Sequence, residues 1–330
     1  MRRLVAVALI AWSAQARADD DFLHRLAGEA RARLDAAVAA RAPKLVPPVP
    51  LVPRWRAQRL GPIDLGADPV AVAAADLDGD GKAELYIVTA REVIAVSLAG
   101  RPRELGRVAF TGEPAVPEPR DTVGAAVVER GAVIASVSSF QRGMRVAWRG
   151  KVLVGEPGEP GFELCPGERA QLVPGRNYFG EGAAATFITR CAAAVDPQGY
   201  PLKLRAQLST GSKLEVTVAR CAADGSACAD AAHYSYANVG TAFELADLDR
   251  DGAPELVYSA AVAPGDRDYV KVLTLGEDEK RARLRKPASA EGVVGLAVAD
   301  VNGDGAPHVI AVVRLFAPDQ PGHVELWRLD

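Results

Sequence analysis

The sequence lacks the features that would assign it to several large functional classes. It has no lysine-rich or serine-rich tract, and its 49 % apolar and 25 % charged residues are ordinary for a globular protein. It has no basic surplus either, since 39 Lys and Arg face 42 Asp and Glu, for a net charge of −3. An acidic chain without a basic stripe is a poor candidate for nucleic-acid binding, so we expect no nucleic-acid partner.

Signatures of common catalytic sites are also missing. The sequence contains no G-x-S-x-G, no H-E-x-x-H and no glycine-rich phosphate loop. It has only four histidines, His24, His233, His308 and His323. Of these, His233 has hydroxyl-bearing neighbours and could line a pocket, although a polar loop is the simpler interpretation. We therefore predict no catalytic residues and a protein that is not an enzyme.

Long apolar runs are absent, and the best candidate is a short one at the N-terminus. Leu4–Ala11 has about half of the ~20 residues that a membrane span needs. It follows two arginines and precedes an A-x-A cleavage pattern at residues 16–18, which is typical of a secretory signal peptide. A retained N-terminal anchor is the alternative. We predict that residues 1–18 are removed and that the mature chain has no transmembrane segment.

Signal cleavage would change both the charge and the expected location of the protein. Three arginines, Arg2, Arg3 and Arg17, would leave with residues 1–18, so the net charge would fall from −3 to −6. We expect a secreted or periplasmic protein, in an envelope of the Gram-negative type. The acidity that remains suits a protein that binds cations.

Cysteines are confined to one stretch of 64 residues, at Cys165, Cys191, Cys221 and Cys228. In an exported chain, an even number of cysteines favours two disulfides. Sequence does not determine the pairing, but Cys221 with Cys228 would close a short loop and leave Cys165 for Cys191. Zinc is the alternative ligand, although no C-x-x-C spacing supports it.

The N-terminal region differs in composition from the rest of the chain. Apolar residues at i+4 spacing between Phe22 and Val38 predict a helix over 20–41, within a segment 19–42. Five prolines between residues 43 and 53 predict an extended linker over 43–54. The helix could pack against its own chain or dock onto a partner in an envelope assembly.

From residue 55 to residue 330, short apolar stretches alternate with Gly, Pro and Asp, which predicts strands and turns. An internal repeat is visible, because Val70–Val88 matches Ala242–Val257 and Val294–Val312. Each copy reads as a strand, an acidic turn and a second apolar strand. Weaker copies surround residues 129–131 and 196–199. The turns then recur about every 50 residues, which predicts an all-β propeller of about five to seven blades, five being the literal count.

The acidic turns follow one pattern, with oxygen ligands at positions 1, 3 and 5, a glycine at position 6 and an acid at position 9. In the first turn the candidate ligands are Asp76, Asp78, Asp80, Glu84 and the carbonyl of Lys82. In the second they are Asp247, Asp249, Asp251, Glu255 and the carbonyl of Ala253. In the third they are Asp300, Asn302, Asp304 and the carbonyl of Ala306, with His308 at position 9.

This ligand pattern predicts Ca²⁺, which takes six to eight oxygen ligands from tight loops. An EF-hand is excluded, because it needs flanking helices and a glutamate at position 12, where this chain has Ile87, Tyr258 and Ala311. Simple Asp-Gly hairpin turns remain the alternative. The third site is the weakest because Asn302 lowers its charge and His308 is a poor calcium ligand. The turns at 129–131 and 196–199 lack the carboxylates and should be metal-free.

These loops resemble the FG-GAP or VCBS repeats of integrin-like propellers, closely over about 20 residues in each of three places and more weakly over 60–330. The resemblance implies four-stranded blades, with calcium in the hairpin between the first two strands of a blade. It also implies that the acidic side chains named above are the ligands. The family spans adhesion and recognition proteins and accessory domains of enzymes, so it does not define a partner.

The function expected from these features is that of a non-catalytic recognition, scaffold or adhesion module with Ca²⁺ as its cofactor. Its partner would be a protein or a glycan. Two alternatives remain open, a polysaccharide-directed lyase or hydrolase on a propeller scaffold and a structural component of a cell-envelope assembly.

Overall fold

The computed structural model describes residues 27–31, 33, 57–115, 122–176, 188–209, 212–225, 227–252, 254–261, 269–276, 283–285, 290–315 and 322–329. Residues 27–31 and 33 are helical and exposed, within the predicted N-terminal helix. The signal peptide, the remainder of that helix and the proline-rich linker lie outside the described residues. None of the helical residues described forms a segment long and apolar enough to span a bilayer.

The rest of the described chain is all-β, as the sequence predicts. In chain order its strands are β1 (Ala57–Asp64), β2 (Pro69–Ala75), β3 (Glu84–Thr89), β4 (Glu92–Ser97), β5 (Arg103–Ala109), β6 (Gly124–Glu129), β7 (Ala132–Val137), β8 (Met144–Arg149), β9 (Val152–Pro157), β10 (Phe162–Cys165), β11 (Glu168–Ala170), β12 (Thr189–Val195), β13 (Pro201–Ser209), β14 (Lys213–Cys221), β15 (Cys228–Tyr236), β16 (Val239–Ala246), β17 (Glu255–Ala260), β18 (Tyr269–Thr274), β19 (Arg283–Arg285), β20 (Ala290–Ala299), β21 (His308–Leu315) and β22 (His323–Leu329).

Within the described ranges these strands form five antiparallel sheets of four strands and one of two strands. Four of the larger sheets are consecutive along the chain: β2–β5, β6–β9, β12–β15 and β16–β19. The fifth combines β20–β22 with the distant strand β1, which pairs with β22 from Ala57 opposite Leu329 to Asp64 opposite His323. Strands β10 and β11 form the small sheet. The N-terminal strand therefore ties the beginning of the β region to its end.

One edge strand of each larger sheet contacts strands of the neighbouring sheets. Strand β20 contacts β2, β2 contacts β6, β12 contacts β16, and β16 contacts β20. The gap between β6 and β12 is filled by β10, which contacts both. These contacts close a circle. We call β2, β6, β10, β12, β16 and β20 the inner strands.

Two glycines allow neighbouring inner strands to approach each other closely. A Cβ atom on Gly124 of β6 would lie 2.5 Å from Cγ2 of Val70, and one on Gly295 of β20 would lie 2.8 Å from Cγ2 of Val72. Contacts this short between carbon atoms are repulsive, since the optimum is about 3.5–4.0 Å. The close packing of β6 and β20 against β2 therefore requires residues without side chains at these positions.

The hydrophobic core lies between neighbouring sheets. One cluster joins the fifth sheet to the first through residues such as Ile310 and Ile87, and another joins the first to the second through Tyr86 and Val133. Strands β3 and β17 are buried at every position. Burial on both faces explains why their sequences read as continuous apolar runs rather than alternating ones.

Both disulfides lie in the region that the sequence indicates. Cys165 pairs with Cys191 and so connects β10 to β12, while Cys221 pairs with Cys228 across the ends of β14 and β15. No free cysteine occurs in the described chain. Two disulfides indicate an oxidising environment such as the periplasm or the cell exterior.

Candidate metal sites and the central cavities

All five turns singled out in the sequence join the inner strand of a four-stranded sheet to the strand beside it. Strand pairing explains why position 9 of each acidic turn returns to its start. Glu84 pairs with Ala75, Glu255 with Ala246 and His308 with Ala299, in each case the residue just before position 1. The position-9 side chain is therefore delivered to the base of its own turn.

The first turn brings four carboxylates together. One oxygen from each of Asp76, Asp78, Asp80 and Glu84 lies within 4.8 Å of the others. Asp76 also organises the backbone, since its Oδ1 accepts from the Gly79 amide at 2.8 Å and its Oδ2 from the Gly81 amide at 2.9 Å. The three aspartates are exposed and Glu84 is buried. This cluster could hold a metal ion.

Glu84 belongs to a hydrogen-bonded chain that reaches the second sheet. The indole Nε1 of Trp148 donates to the hydroxyl of Tyr86 at 2.8 Å, and this hydroxyl donates to Oε2 of Glu84 at 3.1 Å. Burial, together with the charges of Asp78 and Asp76 and against the hydrogen bonds from Leu77 and Tyr86, raises the pKa of Glu84 to about 7. Without a bound metal, the first turn therefore holds a carboxyl group, that of Glu84, that resists ionisation.

The second turn is more deeply buried. Oxygens of Asp247, Asp249 and Glu255 lie within 4.8 Å of one another, and Asp249 and Glu255 are buried. Oε2 of Glu255 accepts from the Leu248 amide at 2.8 Å, and Oε1 accepts from the Thr274 hydroxyl at 3.3 Å. Asp251, the remaining predicted side-chain ligand, is outside this group of three. Ala253 lies outside the described residues.

Electrostatics in the second turn favour a bound cation. Oδ1 of Asp247 is buried and has no hydrogen-bond partner in the described structure. Burial raises the pKa of Asp247, and neighbouring Asp251 and Asp249 add to the rise. Burial and the charges of Asp249, Asp251 and Asp247, opposed by the Leu248 amide, raise the pKa of Glu255 to about 8. Crowded, buried carboxylates of this kind are stabilised by a positive ion.

In the third turn, Arg328, His308 and backbone amides contact the side chains at the candidate ligand positions. Oδ1 of Asn302 accepts from Arg328 Nη1 at 3.0 Å, and its Nδ2 lies 3.3 Å from Nε2 of His308. Burial would raise the pKa of Asp300, but backbone amide hydrogen bonds, led by that of Gly305, hold it below its ordinary value. Asp304 accepts from the Ala306 amide at 2.9 Å. The third turn is therefore organised by its own amides and by Arg328.

The two turns predicted to be metal-free also use protein partners. Oδ1 of Asp196 accepts from the amides of Gln198 and Tyr200 at 2.9 and 2.8 Å, and its Oδ2 pairs with Arg220 at 2.8 Å. In the other turn, Glu129 accepts from the Glu163 amide and lies 3.7 Å from Arg169. A guanidinium group stands near the acid in both.

Neighbouring turns touch one another. The Ala83 amide donates to the Asp300 carbonyl at 2.8 Å, which joins the first turn to the third. A Cβ on Gly252 would lie 2.7 Å from the Val195 carbonyl oxygen, so the second turn packs against the Asp196 turn. Order in one turn is therefore transmitted to the next sheet.

Two cavities lie between the inner strands. The smaller, about 230 Å³, is lined by segments of β2, β6, β12, β16 and β20, and the larger, about 270 Å³, is lined also by β10. Arg190 of β12 lines both, and Glu244 of β16 lines the larger. Arg190 Nε donates to Glu244 Oε1 at 2.9 Å. Burial raises the pKa of Glu244, and Arg190 opposes this rise.

Sequence reasoning missed this ion pair. Arg190 stands in the strand TRCAAAV and Glu244 in the strand FELA, which otherwise carry mostly small or apolar residues. The single charged residue in each of these strands of small or apolar residues was the available signal. Of the histidines, His233 is exposed on β15, His308 is buried in the third turn and His323 begins β22. His24 lies outside the described residues.

Comparison with known proteins leaves the family open. No family model matches the chain, and no curated protein matches it. A similar solved structure is that of a triple arginine-to-alanine mutant of AofleA from Arthrobotrys oligospora, with 9 % sequence identity and a TM-score of 0.35. The match covers 78 % of this chain and 68 % of that one. No catalytic family is identified.

Proposed function

We propose that the chain is an exported, calcium-binding β-propeller that acts as a non-catalytic recognition or scaffold module for a protein or glycan partner. The observation that carries this proposal is the second turn. There Asp247, Asp249 and Glu255 converge, and a buried Asp247 oxygen has no protein partner. The four-carboxylate cluster of the first turn supports the same conclusion.

The ligand chemistry favours calcium among the common metals. Both clusters offer only carboxylate oxygens, which are hard ligands. Thiolate and imidazole, the usual ligands of zinc and copper, take no part in either cluster. Tight turns can also supply carbonyl oxygens to complete the six to eight ligands of Ca²⁺, whereas Mg²⁺ demands a stricter octahedron and retains water.

The sheet arrangement supports a propeller. Five four-stranded antiparallel sheets are described, their first strands close a circle of contacts, and β1 completes the last sheet beside β22. The acidic turns lie between the first two strands of their sheets, where FG-GAP or VCBS repeats would place calcium. In this interpretation each four-stranded sheet is a blade, and the β10–β11 hairpin occupies a gap between the second and third blades.

A structural rather than catalytic role for calcium follows from the position of the turns. The first turn contacts the third and the second contacts the Asp196 turn, so a cation that orders one hairpin would also fix the edge of the adjacent sheet. Calcium would therefore stabilise the end of the propeller where the turns lie. Loops and cavities elsewhere would remain for recognition of the partner.

The test of this proposal is thermal unfolding of the purified full chain with calcium, with magnesium and with a chelator. A cation that binds only the folded state stabilises it by about 2.7 kcal/mol at a hundredfold excess over its Kd. We expect the Tm to rise by several degrees with calcium, to rise less with magnesium and to fall with chelator. A Tm that is the same in all three conditions contradicts the proposal.

A matched pair of variants assigns the response to the turns. Asp78→Ala should remove part of the difference between the calcium and chelator curves, because Asp78 belongs to the first cluster. Asp196→Ala should lower the Tm in both conditions and leave their difference unchanged, because Asp196 pairs with Arg220 instead.

A further inference from the structure

The larger central cavity combines small apolar walls with a concentrated polar group. Ala74 of β2, Ala126 of β6 and Ala297 of β20 contribute to the walls. In the described chain the charged side chains that line it are Arg190, Glu244 and Glu163. Glu163 is engaged in its own hairpin, since its Oε1 accepts from the Gly167 amide at 2.9 Å. The ion pair Arg190–Glu244 is therefore the main polar feature of the cavity.

Both members of this pair keep hydrogen-bonding capacity. Arg190 uses Nε for Glu244 and Nη1 for the Thr189 carbonyl at 3.1 Å. A guanidinium has five N–H donors and a carboxylate can accept about four hydrogen bonds, so donors on Arg190 and acceptor sites on Glu244 remain. The two side chains are 33 % and 20 % exposed, although they lie between the inner strands. They are accessible from within the cavity.

The charges of the pair restrict the class of ligand. Arg190 and Glu244 carry opposite charges, so an anion or a cation would be attracted by one of them and repelled by the other. A charged ligand also loses more hydration free energy on binding than a hydroxyl group does. A hydroxyl can both donate and accept, and two adjacent hydroxyls match a donor beside an acceptor. The C–H faces of such a molecule would pack against the alanine walls.

Size restricts the ligand further. The cavity volume of about 270 Å³ is below the range of roughly 300–1,000 Å³ typical of sites for drug-sized ligands. We propose that this cavity binds a small uncharged polyol, with the size of one sugar ring, through adjacent hydroxyls that bridge Arg190 and Glu244. A chain-terminal sugar or a free polyol would present the same chemistry. This inference deepens the glycan-recognition branch of the proposed function and rests on it.

The experiment is calorimetric titration of the calcium-loaded full chain with a panel of methyl glycosides of neutral hexoses and with inositol. Glycine and L-alanine serve as zwitterions of similar or smaller size. We expect at least one methyl glycoside or inositol to bind with a millimolar or lower Kd. Methyl glycoside binding would indicate a chain end, and binding of inositol alone would indicate a free polyol.

Variants connect the binding to the pair. Glu244→Gln and Arg190→Gln should each weaken binding about tenfold or more, because hydrogen bonds to charged groups are among the strong ones. Arg107→Gln is the matched control, because it removes an exposed ion pair with Glu104 on β5, outside the cavity. Its effect should be within about twofold. If either cavity variant does not fold, Ala74→Leu narrows the same cavity and should also abolish binding.

Three results would overturn the inference: no binding of any panel polyol at millimolar concentration, polyol binding unaffected by the cavity variants, or zwitterion binding that depends on both charged residues. Calcium-dependent unfolding is measured on the same samples. If it persists while polyol binding is absent, the cavity inference fails and the calcium proposal stands. If it is absent, the proposed function itself fails.

Discussion

The turns at 247–255 and 300–308 occupy equivalent places in adjacent sheets, yet their negative charges are balanced in different ways. In the second turn, at 247–255, Glu255 returns to a buried cluster in which an Asp247 oxygen has no protein partner. In the third turn, at 300–308, His308 takes the place of the glutamate, and Arg328 donates to Asn302. A repeated turn sequence is therefore not a repeated site. The proposed function therefore implies that the residue at position 9 and the nearest guanidinium decide whether a turn binds a cation.

Among the single substitutions, the largest expected effect comes from removing the glutamate at position 9. Glu255→Gln removes a ligand charge, so the calcium-dependent stabilisation of the second turn should fall by about 2–3 kcal/mol. Without calcium at pH 8 the same variant should be more stable than the original chain, because the buried carboxylate no longer has to ionise. Chemical unfolding with and without calcium measures both changes.

His308→Gln is the control for this change at the equivalent position of the third turn. It should leave the difference between calcium and chelator unchanged. Equal losses of calcium response in the two variants would mean that both turns bind calcium and that the contrast between them is wrong.

The second effect is a pH dependence confined to the metal-free protein. Burial raises the pKa of Glu84 to about 7 and that of Glu255 to about 8, against an ordinary value of 4.5. Between about pH 4.5 and 8 the folded state therefore holds protons that the unfolded state has released, so stability falls as the pH rises. At about 1.4 kcal/mol per pH unit the two groups together set an upper limit of about 8 kcal/mol, and screening by solvent lowers it, so we expect a loss of several kcal/mol over this range.

Calcium should flatten this pH dependence, because it binds the ionised carboxylates. Its binding at pH 7 should also release protons, which calorimetry in buffers of different ionisation enthalpy measures. Binding without proton release would show that Glu84 and Glu255 are already ionised or are not ligands. The Glu255→Gln variant should release fewer protons than the original chain.

The third prediction is that two substitutions give the third turn the calcium binding proposed for the second. Asn302→Asp combined with His308→Glu restores the carboxylates at positions 3 and 9 of the third turn. If the contrast is set by these positions, calorimetric titration should show one more calcium bound per chain and a further stabilisation of about 1–2 kcal/mol. An unchanged stoichiometry would indicate that Arg328, rather than the missing carboxylates, prevents binding. The triple variant that adds Arg328→Gln should then gain the site.

The sequence predicted the features that depend on neighbouring residues, such as strands and turns. It did not predict the contacts between residues that are far apart in the chain. The all-β class and the turns follow from short-range patterns, such as the Asp-Gly spacing after Val72 and after Phe243. The pairing of β1 with β22 spans nearly the whole chain and leaves no local pattern. The Arg190–Glu244 pair was missed for the same reason, because β12 and β16 are brought together only when the inner strands close their circle.

The residues that contact the candidate metal ligands could not be predicted from the sequence either. Repetition of the turn sequence predicts which acids face inward, but it does not predict that Arg328 from the last strand reaches Asn302. Nor does it predict that Trp148 of the second sheet connects to the first turn through Tyr86. These contacts come from residues far apart in the chain, so the different surroundings of the three acidic turns are visible only in the folded structure.

The smallest expected effect tests whether this distant support matters at the first turn. Tyr86→Phe removes the hydroxyl that donates to Glu84 and accepts from Trp148, while it keeps the buried ring. Groups that orient metal ligands typically change affinity by 10–100-fold, and we expect the low end, about tenfold, because Leu77 also donates to Glu84. Calcium titration should show the weaker affinity in one of two sites, with Trp148 fluorescence reporting that site. Tyr258→Phe in β17, whose ring faces Lys271, is the control and should leave both affinities unchanged. An equal effect of the two variants would mean that general packing, rather than the hydrogen bond to Glu84, sets the affinity.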